Sequence, residues 1–243
     1  MSPGRAPRRS VPPSRPLRAV VTDVDGTLTD ARRRLHAPAI EAVRRLERQG
    51  VPVVLATGNV LPIALAVHRF LGLTGPIVAE NGGLTYREEG PREVVERLAD
   101  HAVAMRAYRT LVRSGLPVRR LFTDRWRESE VALEPNVPVA RVARLLNGQP
   151  VHVESTGFAI HLIESGAGKR PALERVLAPA GLSIGECVVL GDGDNDVEML
   201  RAAGFGVSFP SASRKARAAA RYVTRTEYGD GFVEGLKASH ILV

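Results

Sequence analysis

Arg18-Ala-Val-Val-Thr-Asp23-Val-Asp25-Gly-Thr27 is the stretch that decides the fold. An uninterrupted apolar run, too short for a helix, stops abruptly in two acids and a glycine. That is the pattern of a buried parallel strand whose carboxyl end opens into a polar loop.

Outward from this stretch the chain alternates. Pro38 to Gln49 sets Ile40, Val43 and Leu46 on one helical face opposite Arg44, Arg45 and Glu47, with a proline near the start and Gly50 at the stop. Val51 to Ala56 reads as a second buried strand ending in Thr57-Gly58-Asn59, Leu61 to Leu71 as a helix stopped by Gly72, and Pro76 to Ala79 as a third strand. The alternation resumes at Pro171 with a helix over Ala172 to Ala180, a strand over Cys187 to Leu190, and the loop Gly191-Asp192-Gly193-Asp194-Asn195-Asp196. Strand and helix in turn imply a parallel sheet with right-handed crossovers, which binds ligands beyond the carboxyl ends of its strands.

The middle of the chain changes character. It reads as a long helix from about Pro91 to Ser114, strands at Val118 to Thr123 and Val131 to Glu134, a helix near Val139 to Asn147, then strands Val151 to Ser155 and Phe158 to Ile163. The expected fold is therefore α/β, a Rossmann-like parallel-sheet core with an inserted α+β (αββαββ) cap. The expected boundaries are a disordered basic tail at 1–16, a core at 17–84 and 164–243, and a cap at 85–163.

Composition narrows the function classes. No apolar run approaches the roughly 18 residues a bilayer span needs, and the Arg-rich start lacks an apolar signal region, so a cytoplasmic protein without a membrane partner is expected. The formal charge is +8, but Arg5, Arg8, Arg9, Arg15 and Arg18 carry five of those positives, leaving +3 on residues 19 to 243. With 5% aromatic residues and no basic stripe, a nucleic-acid partner is not expected, although an Arg tail that associates with nucleic acid is the non-enzymatic alternative. Cys187 is the single cysteine, so no intrachain disulfide or Cys-based zinc site can form.

Asp23 and Asp25 sit two apart, so a regular strand would place them on one face. One carboxylate can attack phosphorus while the other moves protons. Asp192, Asp194 and Asp196 crowd a glycine-rich loop where like charges call for a hard cation, and Mg2+ takes oxygen ligands in octahedral geometry. The rival reading, a calcium-binding hand, lacks a glutamate at the twelfth position counted from Asp192, which is Ala203. Thr57-Gly58-Asn59 offers hydroxyl, amide and backbone N–H donors to a phosphate. Lys169, one of three lysines in an Arg-dominated chain, supplies a compact ammonium.

In this order the four segments resemble the motifs of the haloacid dehalogenase-like hydrolase superfamily, and the insert resembles the type-2 cap of its sugar-phosphatase (Cof-like) branch. Thr57-Gly-Asn-Val60, Ala79-Glu-Asn-Gly-Gly83, Asp124-Arg-Trp-Arg-Glu128, Gly157-Phe-Ala-Ile-His161 and Glu227-Tyr-Gly229 are similar to stretches of archaeal phosphoglycolate phosphatases. The resemblance implies a phosphomonoesterase with Asp23 as nucleophile and metal ligand, and Asp25 in proton transfer with its backbone carbonyl on the metal. It further implies that Asp192 and Asp196 complete a Mg2+ site, and that Lys169, Thr57, Gly58, Asn59 and Asn195 bind substrate. Family members often carry a small residue or serine where this chain has Gly193-Asp194, which leaves Asp194 either on the metal or in solvent. For a carboxylate-bearing phosphate ester, Arg125 and Arg127 are the expected guanidinium grip, with His161 next; the bland alternative pairs both with Asp124 and Glu128 around a buried Trp126. A broad-specificity sugar phosphatase and a phosphomutase are the alternatives within the fold, and a monomer or homodimer is expected.

Overall fold

A computed structural model describes residues 15–156 and 158–242. The elements begin with β1 (Ala19–Thr22), α1 (Ala37–Arg48), β2 (Val53–Ala56), α2 (Leu61–Leu71), β3 (Ile77–Ala79), β4 (Leu84–Glu89), β5 (Arg92–Arg97) and α3 (His101–Arg113). They continue with β6 (Val131–Leu133), α4 (Val139–Leu145), β7 (Val151–Ser155), β8 (Ile160–Glu164) and α5 (Lys169–Leu177). The last are β9 (Cys187–Leu190), α6 (Val197–Ala202), β10 (Phe205–Ser208), α7 (Arg214–Ala219), β11 (Tyr222–Val223) and α8 (Tyr228–Ala238). The class is α/β, as the alternation implies. The tail expected at 1–16 lies outside the described residues except for Arg15 and Pro16.

The chain divides into two compact units, one drawn from Met1–Val53 and Leu182–Val243, the other from Val54–Gly181. In the first, β11, β10, β9 and β1 lie side by side in that order, all parallel. Every residue of β1, β9 and β10 is buried, which is why these strands read as continuous apolar runs rather than alternating ones. α1 packs against α8 and buries Ala39, Ala42, Val43 and Leu46, while Ile40 is only half-buried. Burying one such leucine contributes roughly 1.5–3 kcal/mol.

In the second unit β2 pairs parallel with β3, and β3, β4 and β5 are antiparallel. A separate antiparallel sheet has the order β6-β8-β7. Helices α3 and α4 bury Ala107, Leu111 and Val142 with Leu133, Ile160 and Leu162 in one apolar cluster.

Two stretches depart from the periodicity reading. Residues 91 to 99 are not helical: Arg92–Arg97 pairs with Leu84–Glu89 in a hairpin closed at Gly90-Pro91, and the helix begins only at His101, with Asp100 capping Ala102 N–H at 2.8 Å. Glu and Arg favour a helix in isolation, but cross-strand pairing overrides that weak preference. Val118 to Thr123 forms no regular strand. Arg120 makes a single bridge to Leu133, and Phe122–Trp126 coils into a 3-10 turn whose Asp124 carboxylate accepts the N–H of Ala132 at 2.6 Å. The side chain takes a donor that a longer ladder would have used. Among the described residues, no helix is long and apolar enough to cross a membrane.

Ile160 is fully buried in β8. Ile160→Ala should lower unfolding free energy in a denaturant titration by about 2–5 kcal/mol with an unchanged slope; a loss under about 1 kcal/mol would show that this cluster is not close-packed.

Candidate functional site

The first unit gathers the acids. Asp23 follows β1 directly, and its N–H donates to the Leu190 carbonyl at 3.0 Å, so the ends of β1 and β9 are tied where both loops begin. Asp23, Asp192 and Asp196 each offer a carboxylate oxygen, and these oxygens all lie within 4.8 Å of one another. Asp23 and Asp196 are buried. Asp196 is fixed by the N–H groups of Asp192 and Gly193, which donate to its Oδ2 at 3.0 and 2.9 Å.

Gly26 lets the loop close on this cluster. Its φ is +76°, and a Cβ there would lie 2.3 Å from Asp192 Oδ2. Any side chain would be strained in backbone and would strike the carboxylate.

Three ionised carboxylates at such range repel, by ~3.5 kcal/mol per pair at an effective dielectric near 20 for a separation of 4.8 Å. A hard divalent cation reverses that balance, and the all-oxygen donor set fits one. Asp194 stands apart from the three: it is exposed, pairs with Lys215 at 2.8 Å, and that hydrogen bond holds its carboxyl below the usual range. Asp25 pairs with Arg33 at 3.0 Å, and Asn195 lies half-buried in the turn Asp194–Asp196.

The second unit holds the other expected residues. Thr57 is buried after β2, and its Oγ accepts from the N–H of Asn59 at 3.0 Å and from Asn59 Nδ2 at 3.1 Å, leaving the hydroxyl proton to donate. Lys169 is buried at the first position of α5.

Arg125 and Arg127, equal on paper, have different surroundings. Arg125 lies over the Phe122 ring at 4.4 Å and the Trp126 ring at 5.6 Å, and both rings are exposed. Arg127 is buried, ion-paired with Glu130, and donates to the Gly58 carbonyl at 3.0 Å. Asp124 pairs with Arg120 and Glu128 with Arg97, so neither arginine uses the neighbours expected of it.

Glu130 is the residue that the sequence reading missed. It is fully buried, meeting Arg127, His161 Nδ1 at 3.0 Å and Asn81 Nδ2 at 3.0 Å. Burial pushes its carboxyl up, but the Arg127 guanidinium and the His161 ring outweigh burial, and Asn81 adds to them; the carboxyl is held down at about 2. Burial raises the neighbouring Glu80 carboxyl, against the hydrogen bond it accepts from Ser129 Oγ at 2.6 Å. The sequence signal was faint: a charged residue just before the apolar run Val131-Ala-Leu133, with partners 31 and 49 positions away.

The family model of haloacid dehalogenase-like hydrolases matches residues 20–127 and 138–236. A phosphoglycolate phosphatase of Methanothermobacter thermautotrophicus is 38% identical over 221 residues, which cover 91% of this chain and 98% of that protein. One of Methanoculleus marisnigri is 38% identical over 227 residues, covering 91% and 96%. Among solved structures, the Thermoplasma acidophilum 0175 protein aligns with a TM-score of 0.83 at 26% identity, over 93% of this chain and 100% of that one. The sugar phosphatase BT4131 aligns with a TM-score of 0.73 at 19% identity and shares the fold.

Because Glu130 titrates at about 2 in the folded chain against an ordinary value near 4.5, the unfolded chain binds more protons between those values. Its contribution to stability is complete above about 4.5 and is lost as pH falls towards about 2. Glu130→Gln should flatten that acid limb and cost about 3–5 kcal/mol at neutral pH, because Arg127 would be left buried without its counter-charge. An unchanged acid limb in the variant would assign the dependence to other carboxylates.

Proposed function

Because the chain belongs to the haloacid dehalogenase-like hydrolase family, we propose that it hydrolyses 2-phosphoglycolate to glycolate and phosphate through an aspartyl-phosphate on Asp23. The observation that carries the substrate is the 38% identity, across 91% of the chain, to a protein named phosphoglycolate phosphatase. We place the reaction in the cytoplasm.

In this reading an Asp23 carboxylate oxygen attacks phosphorus and the bond from phosphorus to the glycolate oxygen breaks. Asp25 gives its proton to the departing alkoxide, then takes one from the water that attacks the aspartyl-phosphate, releasing phosphate and restoring the Asp23 carboxylate. Asp25 accepts from Arg33 Nε at 3.0 Å, in an ion pair that is half-exposed on the arginine side. Asp23, by contrast, is 6% exposed, which supports a nucleophile that has shed most of its water.

Asp23, Asp192 and Asp196 would hold the cation, Mg2+ in this reading, which when bound supplies positive charge to the transferring phosphoryl oxygens and offsets the three carboxylates. Thr57, Gly58, Asn59 and Lys169 as phosphate ligands, and Asn195 as a substrate ligand, rest on their motif positions. Substrate selection by residues 85–163 and carboxylate contact through exposed Arg125 are part of the same proposal.

Asp23→Asn should remove more than about 99% of turnover without changing thermal stability downwards, since an amide cannot attack phosphorus and one negative charge leaves the cluster. A panel of phosphate esters should give 2-phosphoglycolate the highest kcat/KM, by about tenfold or more over neutral sugar phosphates. Equal values across the panel would replace this substrate with a broad sugar-phosphatase activity, and substantial turnover by Asp23→Asn would end the covalent mechanism.

A further inference from the structure

Within the second unit, Thr57-Gly58-Asn59 is held from several directions at once. Asn81 N–H donates to the Thr57 carbonyl at 3.1 Å and Glu80 N–H to the Asn59 carbonyl at 3.0 Å. The Gly58 carbonyl between them accepts from Arg127 Nη1 at 3.0 Å. Each of the three carbonyls of the loop is therefore hydrogen-bonded.

The Arg127 bond is built rather than incidental. The arginine side chain is 2% exposed, and the same Nη1 meets Glu130, itself fully buried. Glu130 in turn holds Asn81, whose backbone supports Thr57, and His161, whose Nε2 meets Thr156 Oγ1 at 3.2 Å. A Cβ at Gly58 would lie 2.9 Å from Asn81 Oδ1, so a side chain there would push against Asn81. Arg127, Glu130 and Asn81 thus clamp the loop through its backbone and through the side chain packed over Gly58.

We propose that Arg127, backed by Glu130, is a positioning residue that sets the Thr57–Asn59 loop for phosphate binding, and does not read the substrate carboxylate. The inference rests on the reading of that loop as a phosphate cradle. It makes a distinctive demand: disturbing the clamp must weaken every phosphate species alike, including inorganic phosphate, which has no carboxylate. A grip on the carboxylate would instead spare inorganic phosphate and neutral esters.

The test uses the full chain with Mg2+. The readouts are KM and kcat on 2-phosphoglycolate and a neutral phosphomonoester, the inhibition constant of inorganic phosphate, and the thermal midpoint. Arg127→Lys keeps a charge for Glu130 but loses the planar fork. Gly58→Ala disturbs the same loop from the Asn81 side without touching Arg127, and Thr57→Val removes a proposed phosphate donor directly. Arg127→Lys and Gly58→Ala should each raise the phosphate inhibition constant and both KM values together by about 10-fold to 100-fold, more than they lower kcat, with Thr57→Val in the same direction. A loss by Arg127→Lys confined to 2-phosphoglycolate would overturn the proposal and make Arg127 a carboxylate reader. An unchanged phosphate constant in Arg127→Lys beside a raised one in Thr57→Val would overturn the positioning role while leaving the cradle. An unchanged constant in Thr57→Val would remove the cradle, and the inference with it. If Arg127→Lys is too unstable to assay, the double variant Arg127→Gln/Glu130→Gln, which removes both buried charges together, decides between the same outcomes.

Discussion

Three carboxylate oxygens converge within 4.8 Å, and two of the three side chains are buried. Water cannot solvate such a cluster well, and the mutual repulsion of its charges is comparable to a large part of a domain's net stability. The surrounding sequence is understandable as the means of tolerating that arrangement. β1 and β9 are neighbouring parallel strands, so their carboxyl ends deliver Asp23 and the 191–196 loop to one place. Gly26 at positive φ removes the side chain that would strike Asp192, and two backbone N–H groups pin Asp196. What remains is a pre-formed cluster of negative charge whose natural complement is a hard cation.

The second unit solves a different electrostatic problem. Burying Arg127 and Glu130 costs several kcal/mol per ion in lost hydration, which the pair recovers only when its remaining donors and acceptors are satisfied. Asn81 and His161 satisfy Glu130 and the Gly58 carbonyl takes up one Arg127 N–H, while Arg127 Nε is left buried without a hydrogen-bond partner among the described residues. A surface arginine would have been free to move. This one is fixed by its partners, and it fixes the loop they border.

The sheet and the acids were legible in the sequence because they are local facts. A short apolar run ending in Asp23-Val-Asp25-Gly declares a buried strand and its loop without reference to anything distant, and Leu61–Leu71 is a helix on its own periodicity. The β4–β5 hairpin was not legible, since Arg92–Arg97 has helix-favouring residues and becomes a strand only through β4. Arg125 and Arg127 could not be told apart either. Two positions separate them, yet one stacks on exposed rings and the other is buried against Glu130, a difference set by partners elsewhere in the chain. Asp194 is a parallel case: the acid spacing offers it as a ligand, and Lys215 claims it.

The proposed chemistry depends most on the Asp23, Asp192 and Asp196 carboxylates forming one divalent-cation site. Calorimetric titration of Mg2+ into metal-free protein tests it without reference to turnover. One ion per chain is expected, with binding weakened by about 10-fold or more in Asp192→Asn and unaffected in Asp194→Asn, whose parent side chain is held by Lys215. Absence of binding, or equal weakening in the two variants, would contradict it.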